Sequence, residues 1–235
     1  MSFVAWTTTL WTLPSNIALC VHPDLEYIRI LDKKADKRFI LAKSRLAQLF
    51  PIMKNKKKWK PKMADELYEI EATFPGKELV GKKYQPMFDY FVDSEGSEEY
   101  FRVLLDKYVT DDAGTGVLHQ APAFGEDDYR VCLAHKVIKK GQDLPCPVDS
   151  NGLFTDPVAE VKGLHVKKGD DTLIKLIKDK GRLIQKDNLD HSYPFCWRSN
   201  TPLIYKAVPS WFIKVEEIRD KVVENNKKLI GPESG

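Results

Sequence analysis

No C-x-x-C pair occurs among Cys20, Cys132, Cys146 and Cys196, the four cysteines of the chain. The set suits neither a closed zinc site nor a dense disulfide framework, and it reads as reduced, mostly buried thiols of a cytosolic protein. The histidines His22, His119, His135, His165 and His191 share no metal-ligand spacing, so no metal or other cofactor is expected. No run of about 18 apolar residues is present, and no membrane span is expected. Met1-Ser2-Phe3-Val4 has neither a basic start nor a clean apolar core, so it does not read as a signal peptide. The chain opens directly on a strand-like segment, which fits a piece of a larger protein. A strong charge of one sign is missing too: 37 Lys and Arg face 34 Asp and Glu, for a net +3. Nucleic-acid binding must therefore be argued from where the charges lie, not from their sum. There is no internal repeat and no nucleophile elbow of the serine hydrolases.

What is present is an ordinary globular composition. The chain has 235 residues, 43% hydrophobic and 30% charged, enough for one large domain or two small ones with a real core. Short alternating segments dominate. Phe101, Val103, Leu105 and Val109 alternate with Arg102, Leu104 and Asp106, and Tyr68, Ile70 and Ala72 alternate with Leu67, Glu69 and Glu71. Further strands are expected at Phe3–Thr8, Ile17–His22, Leu25–Leu31, Arg38–Lys43, Gly116–Gln120 and Leu203–Ala207. Helices are expected from Glu126 to about Ile138, from Asp171 to Lys180 with Gly181 as a stop, and from Val215 to about Lys228. Many strands, few helices and no regular alternation predict an α+β, β-rich fold: a β-barrel-like core with peripheral helices.

Three segments stand out chemically. The stretch Lys54-Asn55-Lys56-Lys57-Lys58-Trp59-Lys60-Pro61-Lys62 places six lysines around one tryptophan. A solvated surface loop is the ordinary reading; a phosphate-contacting loop with an aromatic for base stacking is the sharper one. Trp6-Thr7-Thr8-Thr9-Leu10-Trp11-Thr12-Leu13-Pro14 reads either as a threonine-rich strand end or as the rim of a cleft. On the second reading its hydroxyls face a sugar, an ester or a water, and Trp6, Trp11 and Pro14 form apolar walls. The third segment runs from Asp111 to Tyr129. Gly114 and Gly116 flank a turn into a short strand ending at His119, and an acidic helix start, Glu126-Asp127-Asp128, follows. Glycines permit close approach of a ligand to the backbone. The pattern lacks the third glycine and the βαβ context of a dinucleotide site. Asp128 suits the third helical position, where a carboxylate meets the macrodipole, but three acids exceed what capping needs. A lone histidine such as His119 is more often a structural residue than a ligand or base. Residues alone thus give a polar cleft able to support substrate-positioned hydrolysis or simple binding.

Taken together, Trp6–Pro14 resembles the threonine-rich peptide of class I aminoacyl-tRNA synthetase editing domains, and Gly114–Tyr129 resembles their second editing peptide. The order Gly-Thr-Gly, His119-Gln-Ala-Pro, Asp127-Asp128-Tyr129 is similar to isoleucyl enzymes rather than to valyl or leucyl ones, which carry lysine and threonine where His119 stands. His191–Arg198 with Pro209–Phe212 looks like the return path toward a catalytic domain. The resemblance covers nearly the whole chain and is weakest over the lysine-rich loop. Leu10 stands where proline is common, and Ala123-Phe124-Gly125 replaces the Gly-His-Gly of bacterial relatives, which fits a eukaryotic or archaeal-like enzyme. The ATP signatures H-I-G-H and K-M-S-K-S are absent, so amino-acid activation is not expected of this chain.

The resemblance implies a single editing domain over 1–235, with the lysine-rich loop at about 54–62 and a return segment and helix at about 191–228. It implies hydrolytic proofreading of valyl-tRNA(Ile), and of valyl-adenylate. One methylene is worth only about 1–3 kcal/mol in an apolar pocket, a limit of which isoleucyl enzymes are the standard illustration, and a second site removes what slips through. Carried over, Asp128 holds the α-ammonium, and Thr7, Thr8 and Thr9 contact ribose, ester and water. Trp6, Gly116, Thr12 and His119 bind substrate, with Thr12 and His119 bounding the side-chain pocket. The implied partners are the valine-charged 3′ end of tRNA(Ile), valyl-adenylate and the parent synthetase's catalytic domain, in the cytoplasm and away from membranes. A valyl- or leucyl-type editing domain and a non-catalytic tRNA-binding insertion stay open as alternatives.

Overall fold

The computed structural model describes residues 1–187, 192–211 and 213–228. Two sheets carry the core. The first contains β1 (Ser2–Phe3), β4 (Lys37–Ala42), β3 (Glu26–Asp32) and β5 (Tyr68–Pro75), in that spatial order. β3 and β4 form a hairpin whose turn is closed by Asp32, its carboxylate accepting the amides of Lys34 and Ala35 at 2.9 Å. The second sheet places β2 (Ala18–Val21) between β6 (Arg102–Leu105), which is parallel to it, and β7 (Val117–Gln120), which is antiparallel.

The period-2 alternation of the strands sorts their side chains into layers. Ile28, Ile30, Phe39 and Leu41 face outward onto Leu46 of α1 (Leu46–Leu49) and onto Phe50. Tyr27, Ile40 and Ala42 face the other way and meet Leu19, Val21, Val103 and Val117 of the second sheet. The far side of that sheet, through Ala18, Cys20 and Leu104, packs on Val131 and Cys132 of α3 (Glu126–Ala134). Every residue of β2 is buried, as expected of a strand covered on both faces. The short α2 (Ala64–Leu67) leads into β5. α4 (Val166–Asp179) turns Val166, Leu173 and Ile177 inward, and with Phe154, Val158 and Val161 it closes over Trp11, Ala121, Ala123 and Phe124. Gly169 lets α4 sit on the Phe154 ring, where a Cβ would come within 2.6 Å of a ring carbon.

Several sequence expectations are corrected. The sheets do not close into a barrel among the described residues; the barrel-like core is two facing sheets. Phe3–Thr8 is not a strand beyond Phe3. Val4 still donates to Ile40 O, but the chain then leaves the sheet and forms a 3-10 helix at Leu10–Ser15. Its threonines bond locally instead of pairing with a neighbour, Thr9 N donating to Thr7 Oγ1 at 3.0 Å. Leu203–Ala207 is not a strand either: only Phe195 and Pro202 bridge, and Ala207 donates to Ala123 O. The stretch 101–109 is a strand only over Arg102–Leu105, because Phe101 takes a left-handed φ of 57° and Asp106 turns back to cap Tyr108 N. α3 stops at Ala134, where Lys136 enters the left-handed region. α4 begins at Val166 rather than Asp171, with His165 Nδ1 accepting Lys167 N at its cap. The last helix is a 3-10 helix at Val215–Glu217 followed by α5 (Arg219–Lys227).

Candidate functional site

The threonine segment and the second peptide, far apart in sequence, meet through Thr12 and His119. Thr12 Oγ1 lies 3.0 Å from His119 Nε2 and donates to Thr9 O at 2.8 Å. A hydroxyl has one proton to give. With that proton on the Thr9 carbonyl, the bond to the ring is donated by His119 Nε2–H, which leaves Nδ1 unprotonated. Nδ1 is shut off from solvent and has no partner among the described residues. Burial pushes the His119 pKa down to about 4, so the ring is neutral at physiological pH. The strand β7 carries this histidine opposite Leu19 of β2, which fixes its height in the sheet.

A second junction joins Trp6 to Gly114. A Cβ at Gly114 would sit 3.3 Å from the Trp6 indole, and Trp6 itself is 41% exposed. A third joins the buried Trp11 to Phe124, edge to face at 4.9 Å. Thr7 and Thr9 place their hydroxyls 3.4 Å apart, and Thr8 is exposed beside them. Arg45 holds the glycine turn from behind, donating to Gly114 O at 2.9 Å and Asp111 O at 3.1 Å.

The acids at the start of α3 separate cleanly. Asp127 pairs with Arg130 at 3.0 Å, and Glu126 accepts from Tyr205 Oη at 3.2 Å. Asp128 turns inward, where Oδ2 accepts Ala121 N–H at 2.9 Å and Oδ1 lies 3.4 Å from Tyr108 Oη. It has no ion pair among the described residues. Burial raises its pKa above the ordinary carboxylate range, opposed by the Ala121 and Tyr108 bonds. Gly125 makes room for it: a Cβ there would meet Asp128 Cγ at 2.9 Å. The result is a half-buried carboxylate with no cation among the described residues, fastened to the residue that follows the His119 strand.

Gly116 is placed differently from the rest. It is buried at φ 74°, a Cβ would stand 2.5 Å from Ala42 Cβ, and its carbonyl accepts Tyr27 Oη at 2.6 Å. The structure thus gives this glycine a packing reason of its own. Sequence reading missed Tyr108, Gln120 and Tyr27. The G-T-G and H-Q-A-P strings drew attention to their own letters, while Tyr108 and Tyr27 reach these peptides only through the fold.

No protein-family profile matches the chain. It is 50% identical to "Isoleucine--tRNA ligase, cytoplasmic" of Arabidopsis thaliana over 97% of its own length and 20% of that protein. It is 49% identical to the protein of the same name in Mus musculus, over 96% of the chain and 17% of that protein. The chain therefore spans about a fifth of the relatives it matches. In three dimensions it is similar to the crystal structure of GlLeuRS-CP1, with a TM-score of 0.54 at 15% identity, over 80% of this chain and 84% of that one. The editing domain of the P. knowlesi cytosolic leucyl-tRNA synthetase gives a TM-score of 0.51 at 12% identity, over 87% and 84%. By sequence the chain matches one segment of the isoleucine–tRNA ligases, and its fold is similar to that of a leucyl-tRNA synthetase editing domain.

The remaining sequence features find definite places. The lysine-rich loop is organised by Asn55, whose side chain accepts the amides of Lys57 and Lys58 at 3.2 Å and whose carbonyl accepts Trp59 N–H. Lys56, Lys57 and Lys58 are exposed and Trp59 is half-buried. Ala207, in the stretch expected to be a return path, donates its N–H to Ala123 O at 2.8 Å, while Trp197 and Trp211 stand exposed. His191 and Phe212, included in the expected return path, lie outside the described residues. All four thiols are free, with Cys20 and Cys132 buried. No group of His, Cys, Asp and Glu that could hold a metal occurs among the described residues. No helix among them is long and apolar enough to cross a membrane.

Proposed function

We propose that residues 1–235 form one editing domain that hydrolyses valyl-tRNA(Ile), and valyl-adenylate, for an isoleucyl-tRNA synthetase. The observation that carries this reading is Asp128. A carboxylate drawn out of water beside the editing peptides, held by a backbone amide and lacking a cation among the described residues, is complementary to the α-ammonium of an aminoacyl ester. Thr7, Thr8 and Thr9 surround the terminal ribose, the ester carbonyl and the attacking water. Trp6 supplies an apolar wall toward the glycine turn, and Gly116 seats the strand that carries His119. The Thr12–His119 pair bounds the side-chain pocket.

No side chain serves as general base in this scheme. His119 is too weakly basic at a pKa of about 4 and spends Nε2 on Thr12. A water positioned by threonine hydroxyls and by the substrate's own ribose hydroxyl does the work, mainly through orientation. The partners are the 3′ end of tRNA(Ile) and the catalytic domain of the parent synthetase. The cytoplasmic names of the relatives support action in the cytoplasm.

The test is Asp128→Ala in the full-length synthetase. Removing one partner of a buried charge pair costs about 3–5 kcal/mol. Hydrolysis of valyl-tRNA(Ile) is expected to fall by at least about a hundred-fold, with isoleucine activation unchanged. Deacylation at a near-normal rate by a folded variant refutes the assignment. Valyl-, threonyl- and methionyl-esters, compared side by side, check the substrate class.

A further inference from the structure

Tyr108 lies outside both editing peptides and has no counterpart among the residues the sequence singled out. Four contacts lock it in place. Its amide donates to Asp106 Oδ1 at 2.9 Å. Arg130 lies over its ring at 5.6 Å, itself held by Asp106 at 2.8 Å. Gln120 Nε2 donates to its hydroxyl oxygen at 2.7 Å. Asp128 Oδ1 stands 3.4 Å from the same oxygen.

The proton bookkeeping of this group is one-directional. Gln120 can only donate through Nε2, so the phenol oxygen accepts there and its own hydrogen is free to point elsewhere. The acceptor within reach is Asp128 Oδ1. Burial keeps the phenol protonated, since its pKa is raised far above the ordinary tyrosine value, first by desolvation and then by the Asp128 charge. Asp128 is thus fastened at Oδ2 by a short bond to the backbone and backed at Oδ1 by a long one. A long bond limits rotation of the carboxylate while leaving that oxygen with most of its accepting capacity.

We infer that Tyr108, oriented by Gln120, is a positioning residue that sets the Asp128 carboxylate to receive the substrate's α-ammonium at Oδ1. This rests on the reading of Asp128 given above. Tyr108 touches no reacting atom; it acts through the carboxylate. Its effect is therefore confined to substrates that carry an α-ammonium.

The experiment is Tyr108→Phe in the full-length synthetase, read on two tRNA esters: valyl-tRNA(Ile) and its 2-hydroxyisovaleryl analogue, in which a hydroxyl replaces the amine. For valyl-tRNA, kcat/KM is expected to fall about ten-fold, mostly through KM, as for loss of one hydrogen bond to a charged group. For the hydroxy ester little change is expected, and adding Tyr108→Phe to Asp128→Ala should cost nothing further. Equal losses on both esters, or additive losses with Asp128→Ala, make Tyr108 a merely structural residue and overturn the inference. So does an unchanged kcat/KM for valyl-tRNA. If Asp128→Ala itself keeps deacylation, the reading of the site fails instead. Gln120→Met covers a misfolded Tyr108→Phe: it removes the orienting donor and, with it, a buried side-chain oxygen that has no partner among the described residues. The same selective loss on valyl-tRNA is expected from it, and its absence in a folded variant overturns the inference.

Discussion

At the scale of single residues, His119 joins a specificity argument to a stability argument. Valine and isoleucine differ by one methylene, and attraction favours the larger. Under the proposed function, refusal of isoleucine has to be steric, and a ring held by Thr12 at 3.0 Å would be a stiff wall. His119→Ala is expected to start hydrolysing correctly charged isoleucyl-tRNA while keeping activity on valyl-tRNA. Overpacking costs about 1–3 kcal/mol, so the gain is about ten- to a hundred-fold. Thr12→Ala moves the same way, more weakly; sparing of isoleucyl-tRNA by both places the gate elsewhere. The same ring makes stability depend on pH. Its folded pKa of about 4 lies below the ordinary 6.5, so the unfolded chain binds the proton more tightly. The neutral ring's contribution is complete above pH 6.5 and is lost as pH falls toward 4, by up to about 3 kcal/mol. Asp128 has the opposite sign: its raised pKa means that protonation relieves a buried charge, and stability is gained as pH falls. Urea midpoints of His119→Gln and the parent, compared at pH 7 and 4.5, isolate the histidine share, and parallel pH profiles speak against it. Gly116→Ala tests packing alone. A left-handed φ and a Cβ at 2.5 Å from Ala42 should cost about 2–4 kcal/mol of stability, read as a drop in Tm.

At the scale of elements, most strands were legible: β2, β3, β4, β5, β6 and β7 overlap the expected segments. Periodicity reports burial, and all of them but the edge strand β5 carry buried residues. The failures are instructive for the same reason. Phe3–Thr8 has strand-like letters, yet after Phe3 the threonines satisfy backbone donors locally and the chain leaves the sheet. Asp127 and Asp128 are identical letters with opposite fates, one on Arg130 and one inward, and only the direction in which α3 leaves Gly125 separates them. Tyr108 was invisible because its partners, Gln120 and Asp128, arrive through the fold. The lysine-rich loop is an element whose role remains a matter of charge. If Lys56, Lys57 and Lys58 contact phosphates, changing all three to Gln weakens tRNA binding and flattens its dependence on salt by about three units of log–log slope. Equal slopes for variant and parent make the loop a solvated surface.

At the scale of the whole molecule, the two sheets differ in how far along the chain their strands must travel to meet. β3 pairs with β4 and β5 inside Glu26–Pro75, through a short hairpin and one excursion. β2 is empty-handed until Ala18 finds Arg102 on one side and Gln120 on the other. Closing a long loop costs entropy before any contact repays it, so distant pairings form late. The sheet that carries His119, and with it the amide that fastens Asp128, consequently assembles after the first sheet. Pulse-labelled amide exchange during refolding should protect Ile28, Ile30, Phe39 and Leu41 before Leu19, Cys20, Asp106 and Leu118; simultaneous protection excludes this order. A chain interrupted between Pro75 and Gln120 would hold its first hairpin and lack the complete strand that carries His119. The first sheet and the candidate site are thus separated in time, and the site waits for strands that lie about a hundred residues apart.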